Sequence, residues 1–224
     1  MKRNKWLMIG LVVLSIDCAF PRGVDYEFNK VDIRMDVGLR VRDARSDLVS
    51  ITLKELELVP DHFQSAGLHY GEVVLVDQEI TLYPEMAHKR GQFHDTAGLW
   101  DLVPGAYDPQ TRTAFIRVDK RGGSANTPLH EFGHLVDDAL GSPSGERSFV
   151  TVWNYCKQNG DMRRHAERSS DEFFADCFAA YLFATETRSD LQIDHSSAYN
   201  YMRRLDIEVL RNYERANDGV LRLR

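Results

Sequence analysis

Thr127-Pro128-Leu129-His130-Glu131-Phe132-Gly133-His134-Leu135-Val136-Asp137-Asp138-Ala139-Leu140-Gly141 is the stretch from which the rest of the chain can be read. A threonine followed by a proline is a capping residue and a first-turn proline, so a helix is expected to start at Thr127, just before His130. Leu129, Phe132, Leu135, Val136 and Ala139 recur at helical intervals and give it an apolar face, and Gly141 ends it. At about 3.6 residues per turn, His130 and His134 stack on one side, where both ring nitrogens can reach one metal ion. Glu131, next to the first histidine, is placed to act as general base on a water that such an ion activates. The alternative is a solvated helix face that merely carries two histidines, and the burial implied by Phe132 and Leu135 argues against it.

A hydrolytic zinc takes three protein ligands and keeps one position open, so a third ligand must come from elsewhere. Ser169-Ser170-Asp171-Glu172-Phe173-Phe174-Ala175-Asp176 offers Glu172 in the first turn of a second helix, which Phe173, Phe174, Ala175 and Phe178 make core-facing. Glu172 could instead close a capping box with Ser169; the histidine pair favours the ligand role. Asp176, one turn further on, is a candidate to accept a hydrogen bond from the far nitrogen of a ligating histidine and fix its tautomer, with an exposed helical aspartate as the alternative. Asp137 is a candidate for a similar orienting part, and Asp138 reads as solvated. His62, His69, His88, His94 and His195 lack ligand spacing and read as surface residues.

The chain has 224 residues, of which 43% are hydrophobic and 28% charged, enough for one sizeable core. A net charge of −6 disfavours a nucleic-acid groove or an anionic membrane surface, and the peptidase reading makes a protein or peptide the expected partner. Lys2, Arg3 and Lys5 precede an apolar run from Trp6 to Ile16, shorter than the roughly twenty residues of a membrane span and typical of an export signal. Residues 1–19 are therefore read as a signal peptide, 20–45 as a lead segment and 46–224 as a monomeric zinc metallopeptidase domain with no membrane span. Without residues 1–19, which carry three positive charges and one negative, the net charge becomes −8. Asp17 sits awkwardly before a cleavage after Ala19, and a form lipid-anchored at Cys18 or held by an uncleaved anchor is the less favoured alternative to secretion. Export would permit a disulfide between Cys156 and Cys177, with two buried free thiols as the alternative.

Strand signals come early. Val31 to Val37 alternates, Glu72 to Val76 is a β-branched apolar run suited to a buried strand, Glu79 to Tyr83 reads as strand or loop, and Thr113 to Val118 as another strand after turn chemistry at Asp108-Pro109-Gln110. Helical spacing covers Asp47 to about Val59, where Pro60 breaks or restarts it, and later Glu146–Asn159, Asp171–Ala184 and Ser196–Tyr213. The expected class is α+β, a small sheet in the N-terminal half packed on a helical C-terminal half.

The run His130 to Asp138 resembles the catalytic motif of the lethal factor-like zinc metallopeptidases. Glu172-Phe173-Phe174-Ala175-Asp176-Cys177-Phe178-Ala179-Ala180-Tyr181 looks like their third-ligand helix. Trp100-Asp101-Leu102-Val103-Pro104-Gly105 echoes the secreted Pro-Pro endopeptidases of that group, and the resemblance spans roughly Leu48 to Ala184. It implies a zincin-like α+β domain that holds a single Zn2+ with His130, His134 and Glu172, and uses Glu131 as base in a secreted endopeptidase. The chain departs from the family at His165, which stands where a tyrosine that steadies the oxyanion is found; an imidazole donor could do the same work, or the donor lies elsewhere, as at Tyr155. The resemblance also suggests that an edge strand beside the metal pairs with an extended peptide. Thr113 and Phe115, in the Thr113–Val118 strand, and Trp100, on the loop before it, are the substrate-binding candidates, with pairing inside the sheet as the alternative. A non-catalytic zinc-binding interaction module on the same fold is the rival function; an intact Glu131 argues against it.

Overall fold

The computed structural model describes residues 38–94, 98–159 and 162–221. The expected signal peptide, Cys18 and the Val31–Val37 strand lie outside the described residues. Three parallel strands, β1 (Leu39–Val41), β2 (Glu72–Val76) and β6 (Thr113–Arg117), and one antiparallel strand, β5 (Gly105–Asp108), form a sheet in the order β1-β2-β6-β5. A two-stranded ribbon, β3 (Phe93–His94) with β4 (Gly98–Leu99), stands apart from it. Helices α1 (Ser46–Leu56) and α2 (Asp61–Tyr70) make the crossover from β1 to β2, because Pro60 ends the first helical run and fits the entry to the second.

Glu72–Val76 reads as a continuous apolar run because the parallel strand is covered on both faces; Val73, Val74, Leu75 and Val76 are all fully buried. Val74, Val76 and Phe115 pack on one side with Ile80, Tyr83, Met86, Val103 and Ala106. The alternate residues Val73, Leu75, Ala114 and Ile116 face the other way, toward the helices. Glu79–Tyr83 is not a strand. Its backbone closes on itself, with Leu82 N bonding to Glu79 O and Tyr83 N to Ile80 O, and Ile80–Leu82 forms a 3-10 turn.

The helical half comprises α3 (Thr127–Ala139), α4 (Arg147–Asn159), α5 (Ser170–Phe183), α6 (Thr185–Asp194) and α7 (Ser196–Leu221). The cap of α3 is Asn126 rather than Thr127: its side chain accepts from Leu129 N at 2.9 Å, while Thr127 Oγ1 accepts from Gly122 N and ties down the preceding loop. At the other end Gly141, with φ +82°, sends its N–H to Asp138 O, and Ser142 N bonds to Asp137 O. Helix α6 falls between two expected helices and starts where Thr187 Oγ1 accepts from Ala184 N. Leu129, Leu135 and Val136 on α3 are fully buried, each contributing about 1.5–3 kcal/mol. Cys156 and Cys177 are free thiols, both buried. Among the described residues no helix is long and apolar enough to cross a membrane.

Candidate metal centre and cleft

Helix α3 lies between β5–β6 and α5, and two close approaches place its polar side chains. A Cβ at Gly133 would come within 3.1 Å of Ala175 Cα and 3.3 Å of Phe178, so glycine there lets α5 run close to α3 without a tight contact. On the sheet side, a Cβ at Gly105 would meet the Glu131 side chain at 2.7–2.9 Å, so β5 passes directly over that carboxylate. His130, Glu131 and His134 are 7%, 6% and 9% exposed.

The first approach brings Glu172 onto the histidines. His130 Nε2 and His134 Nε2 are 3.3 Å apart, and Glu172 Oε2 lies 3.1 Å from the first and 3.4 Å from the second. Three ligands about 2.0–2.1 Å from one tetrahedral ion would be roughly 3.3–3.4 Å apart, so this triangle and its two-imidazole, one-carboxylate donor set suit zinc. Ser169 caps α5 without a side-chain bond, so Glu172 is not in a capping box; it points at the histidines.

The surroundings bias every charge here. Burial disfavours a charged His130, but the hydrogen bonds it makes to Asp176 and then Glu172 outweigh it and push its pKa up to about 10. Burial also works against an ionised Glu172, yet His130, His134 and His165 together hold its carboxyl far below the usual range. Glu131 is raised, by burial first, with the histidines opposing. Asp176 Oδ1 lies 2.9 Å from His130 Nδ1 and also meets the Arg163 guanidinium; despite burial, the His130 hydrogen bond keeps its pKa low.

The remaining candidates are sorted by the cleft of about 760 Å³ above this triangle. Trp100, Pro104, Tyr107 and Pro109 are among the residues that line it. Thr113 and Phe115 are not available to a substrate: β6 is paired on both sides and they are 1% and 0% exposed. The edge beside the metal triangle is β5, read from the sequence as loop because Gly105-Ala106-Tyr107-Asp108 has no β-branched residue. His165 lines the cleft with Nε2 2.6 Å from Glu172 Oε2. Tyr155 is 60% exposed and absent from the cleft lining. Asp137 accepts from Ser144 N at 2.8 Å and Oγ at 2.6 Å, so its partner is the loop after α3, not a histidine. Asp138, expected in solvent, accepts from the Tyr107 hydroxyl at 2.7 Å, and the Tyr107 ring lies 8° from parallel to His134. His62 is 6% exposed, not superficial, because α7 presents Asp206 to it at 2.7 Å. Sequence reading missed Arg163, whose only signal was its place two residues before His165, facing a carboxylate pair one helical turn apart.

A small sheet backed by helices, with two histidines on α3 and a glutamate on α5 packed against it, defines the zincin-like class. The comparisons narrow it. The family model described as "Anthrax toxin lethal factor, N- and C-terminal domain" matches residues 49–205, and the chain belongs to that family. A Pro-Pro endopeptidase from Paenibacillus alvei is 29% identical over 163 residues, which cover 68% of this chain and 74% of that protein. The solved structure of the Pro-Pro endopeptidase from Paenibacillus alvei superposes with a TM-score of 0.67 at 25% identity, covering 77% of this chain and 99% of that one.

Proposed function

We propose that this chain is a secreted, monomeric, zinc-dependent endopeptidase. The observation that carries the reading is the triangle of His130 Nε2, His134 Nε2 and Glu172 Oε2 at the spacing of tetrahedral ligands, with the buried Glu131 carboxylate beside it. Family relatives named as endopeptidases support it. Held by these three residues, a single Zn2+ would supply a Lewis acid that polarises the scissile carbonyl and acidifies water. Glu131 takes the proton from the attacking water at its carboxylate and delivers it to the leaving amine nitrogen. Its burial strengthens it as a base relative to an exposed glutamate. Asp176 accepts from His130 Nδ1 and so keeps Nε2 turned toward the triangle. His165, at the rim, is the candidate to donate to the oxyanion.

The peptide lies along β5, whose outer edge is unpaired among the described residues. Its backbone then runs over Glu131, and the rings of Trp100, Pro104, Tyr107 and Pro109 offer flat apolar surface to its side chains. Because the relatives are named for Pro-Pro bonds, proline-containing peptides belong in the first substrate set. Export rests on the basic residues Lys2, Arg3 and Lys5 ahead of an apolar run.

The test is cleavage profiling, by mass spectrometry, of a peptide library that includes Pro-Pro sequences, with zinc-loaded wild type and Glu131→Gln. Internal cuts by the wild type, reduced at least ~1,000-fold in the variant, are expected. Zinc bound to both proteins with no cuts from either would turn the reading toward a binding module.

A further inference from the structure

The segment between α4 and α5 brings two basic side chains to two carboxylates one helical turn apart. His165 Nε2 sits 2.6 Å from Glu172 Oε2, and Arg163 is ion-paired with Asp176 Oδ1. His130 lies between the same carboxylates, with Nε2 3.1 Å from Glu172 Oε2 and Nδ1 2.9 Å from Asp176 Oδ1. One oxygen of Asp176 thus receives both the imidazole and the guanidinium. We infer that Arg163 is a positioning residue for the zinc site: its guanidinium fixes the Asp176 carboxylate against His130, and the same contact pins the segment that carries His165. The inference rests on the zinc-peptidase reading above.

The carboxylate torsion of an aspartate is broad, so a single imidazole partner leaves its angle loosely set. A second, charge-assisted partner on the same oxygen removes much of that freedom, and Asp176, whose side chain is 11% exposed, has little water to compete. The Arg163 side chain is 42% exposed, but its guanidinium has a second neighbour. A Cβ on Gly123 would come within 3.3 Å of its Nη1, so the guanidinium lies between α5 and the loop that leads into α3. The other end of the segment is held from α4, where Trp153 Nε1 donates to the carbonyl of the buried Ala166 at 2.9 Å. His165 stands between these two anchors. Arg164, its neighbour, is also exposed and carries the same charge but is not the partner of Asp176, which makes it the natural control.

The experiment uses the full chain with Arg163→Met, Arg163→Lys, Arg164→Met, Asp176→Asn and the double variant Arg163→Met/Asp176→Asn. It reads the zinc dissociation constant by chelator competition and the visible spectrum of the cobalt-substituted protein. Arg163→Met is expected to weaken zinc about 10-fold and shift the cobalt bands, with partial recovery in Arg163→Lys. Arg164→Met should match wild type, and Arg163→Met should add under ~2-fold once Asp176 is Asn. Wild-type affinity and spectrum in Arg163→Met, an equal loss in Arg164→Met, or full additivity with Asp176→Asn would each overturn the inference. Should Arg163→Met fail to fold, Arg163→Lys decides: a shifted spectrum supports the assignment and an unchanged one refutes it. A wild-type chain that binds no zinc would remove the zinc reading itself, and this inference with it.

Discussion

The floor and the wall of the cleft are held on different terms. The floor is helix against helix: α3 and α5 meet at Gly133, and His130, Glu131 and His134 are more than nine-tenths buried between them and the sheet. The wall is an edge strand, β5, which meets the floor through Tyr107, bonded to Asp138 and stacked on His134, and through the Gly105 backbone against Glu131. Packed helices tolerate little displacement, so the floor fixes where the reacting groups sit. An edge strand leaves backbone donors and acceptors open, so the wall is where a peptide can be read without disturbing them.

The largest effect is expected where wall and floor touch. Gly105→Ala puts a methyl group into the space of the Glu131 side chain, which can swing away, so the fold should survive while the base is displaced. Activity is expected to fall about 100-fold with little change in melting temperature; steady-state kinetics beside a thermal melt would show it, and unchanged activity would mean that wall and floor are not in contact as described. Gly133→Val strikes the floor itself. The added atoms meet Ala175 Cα and the Phe178 ring, so overpacking should cost about 2 kcal/mol in a urea titration and loosen zinc by moving Glu172. A variant as stable as wild type would show that the helices can part freely.

The smallest effect sharpens the contrast by lying outside both regions. Asp206 on α7 accepts from His62 and from the Tyr181 hydroxyl; the His62 hydrogen bond lowers its pKa, burial opposes, and Tyr181 lowers it further. A carboxyl with a depressed folded-state pKa stabilises above its unfolded value, about 3.9, and that contribution is lost as pH falls through the folded value. The stability gap between wild type and Asp206→Asn should therefore be present at pH 6 and narrow below about pH 4, with cleavage kinetics unaltered. Urea titrations at the two pH values check this, and a constant gap would contradict it.

The same division explains what the sequence made legible. The floor announces itself because helical spacing forces His130 and His134 onto one face, and because Phe173, Phe174 and Phe178 bury the helix that carries Glu172. Strand β2 was legible for the same reason, being apolar on both faces. The wall was not. Gly105-Ala106-Tyr107-Asp108 has no β-branched residue, so propensity points to a loop, and strand order depends on long-range pairing that local pattern does not encode. That is why the edge was assigned to Thr113–Val118, a strong strand that belongs inside the sheet. The partners of Asp137, Asp138 and His62 were hidden for a related reason: each is met by a residue from another element, Ser144, Tyr107 and Asp206.

One zinc ion, held by His130, His134 and Glu172, is what we propose makes this chain a peptidase. The most direct measurement is metal stripping with a chelator followed by stepwise return of zinc, with peptide cleavage and bound metal followed together. Cleavage is expected to disappear on stripping, to return linearly to a plateau at one zinc per chain, and to fail to return in Glu172→Ala, which should bind zinc far more weakly. Cleavage that persists in the stripped protein, or full recovery in Glu172→Ala, would contradict the proposal.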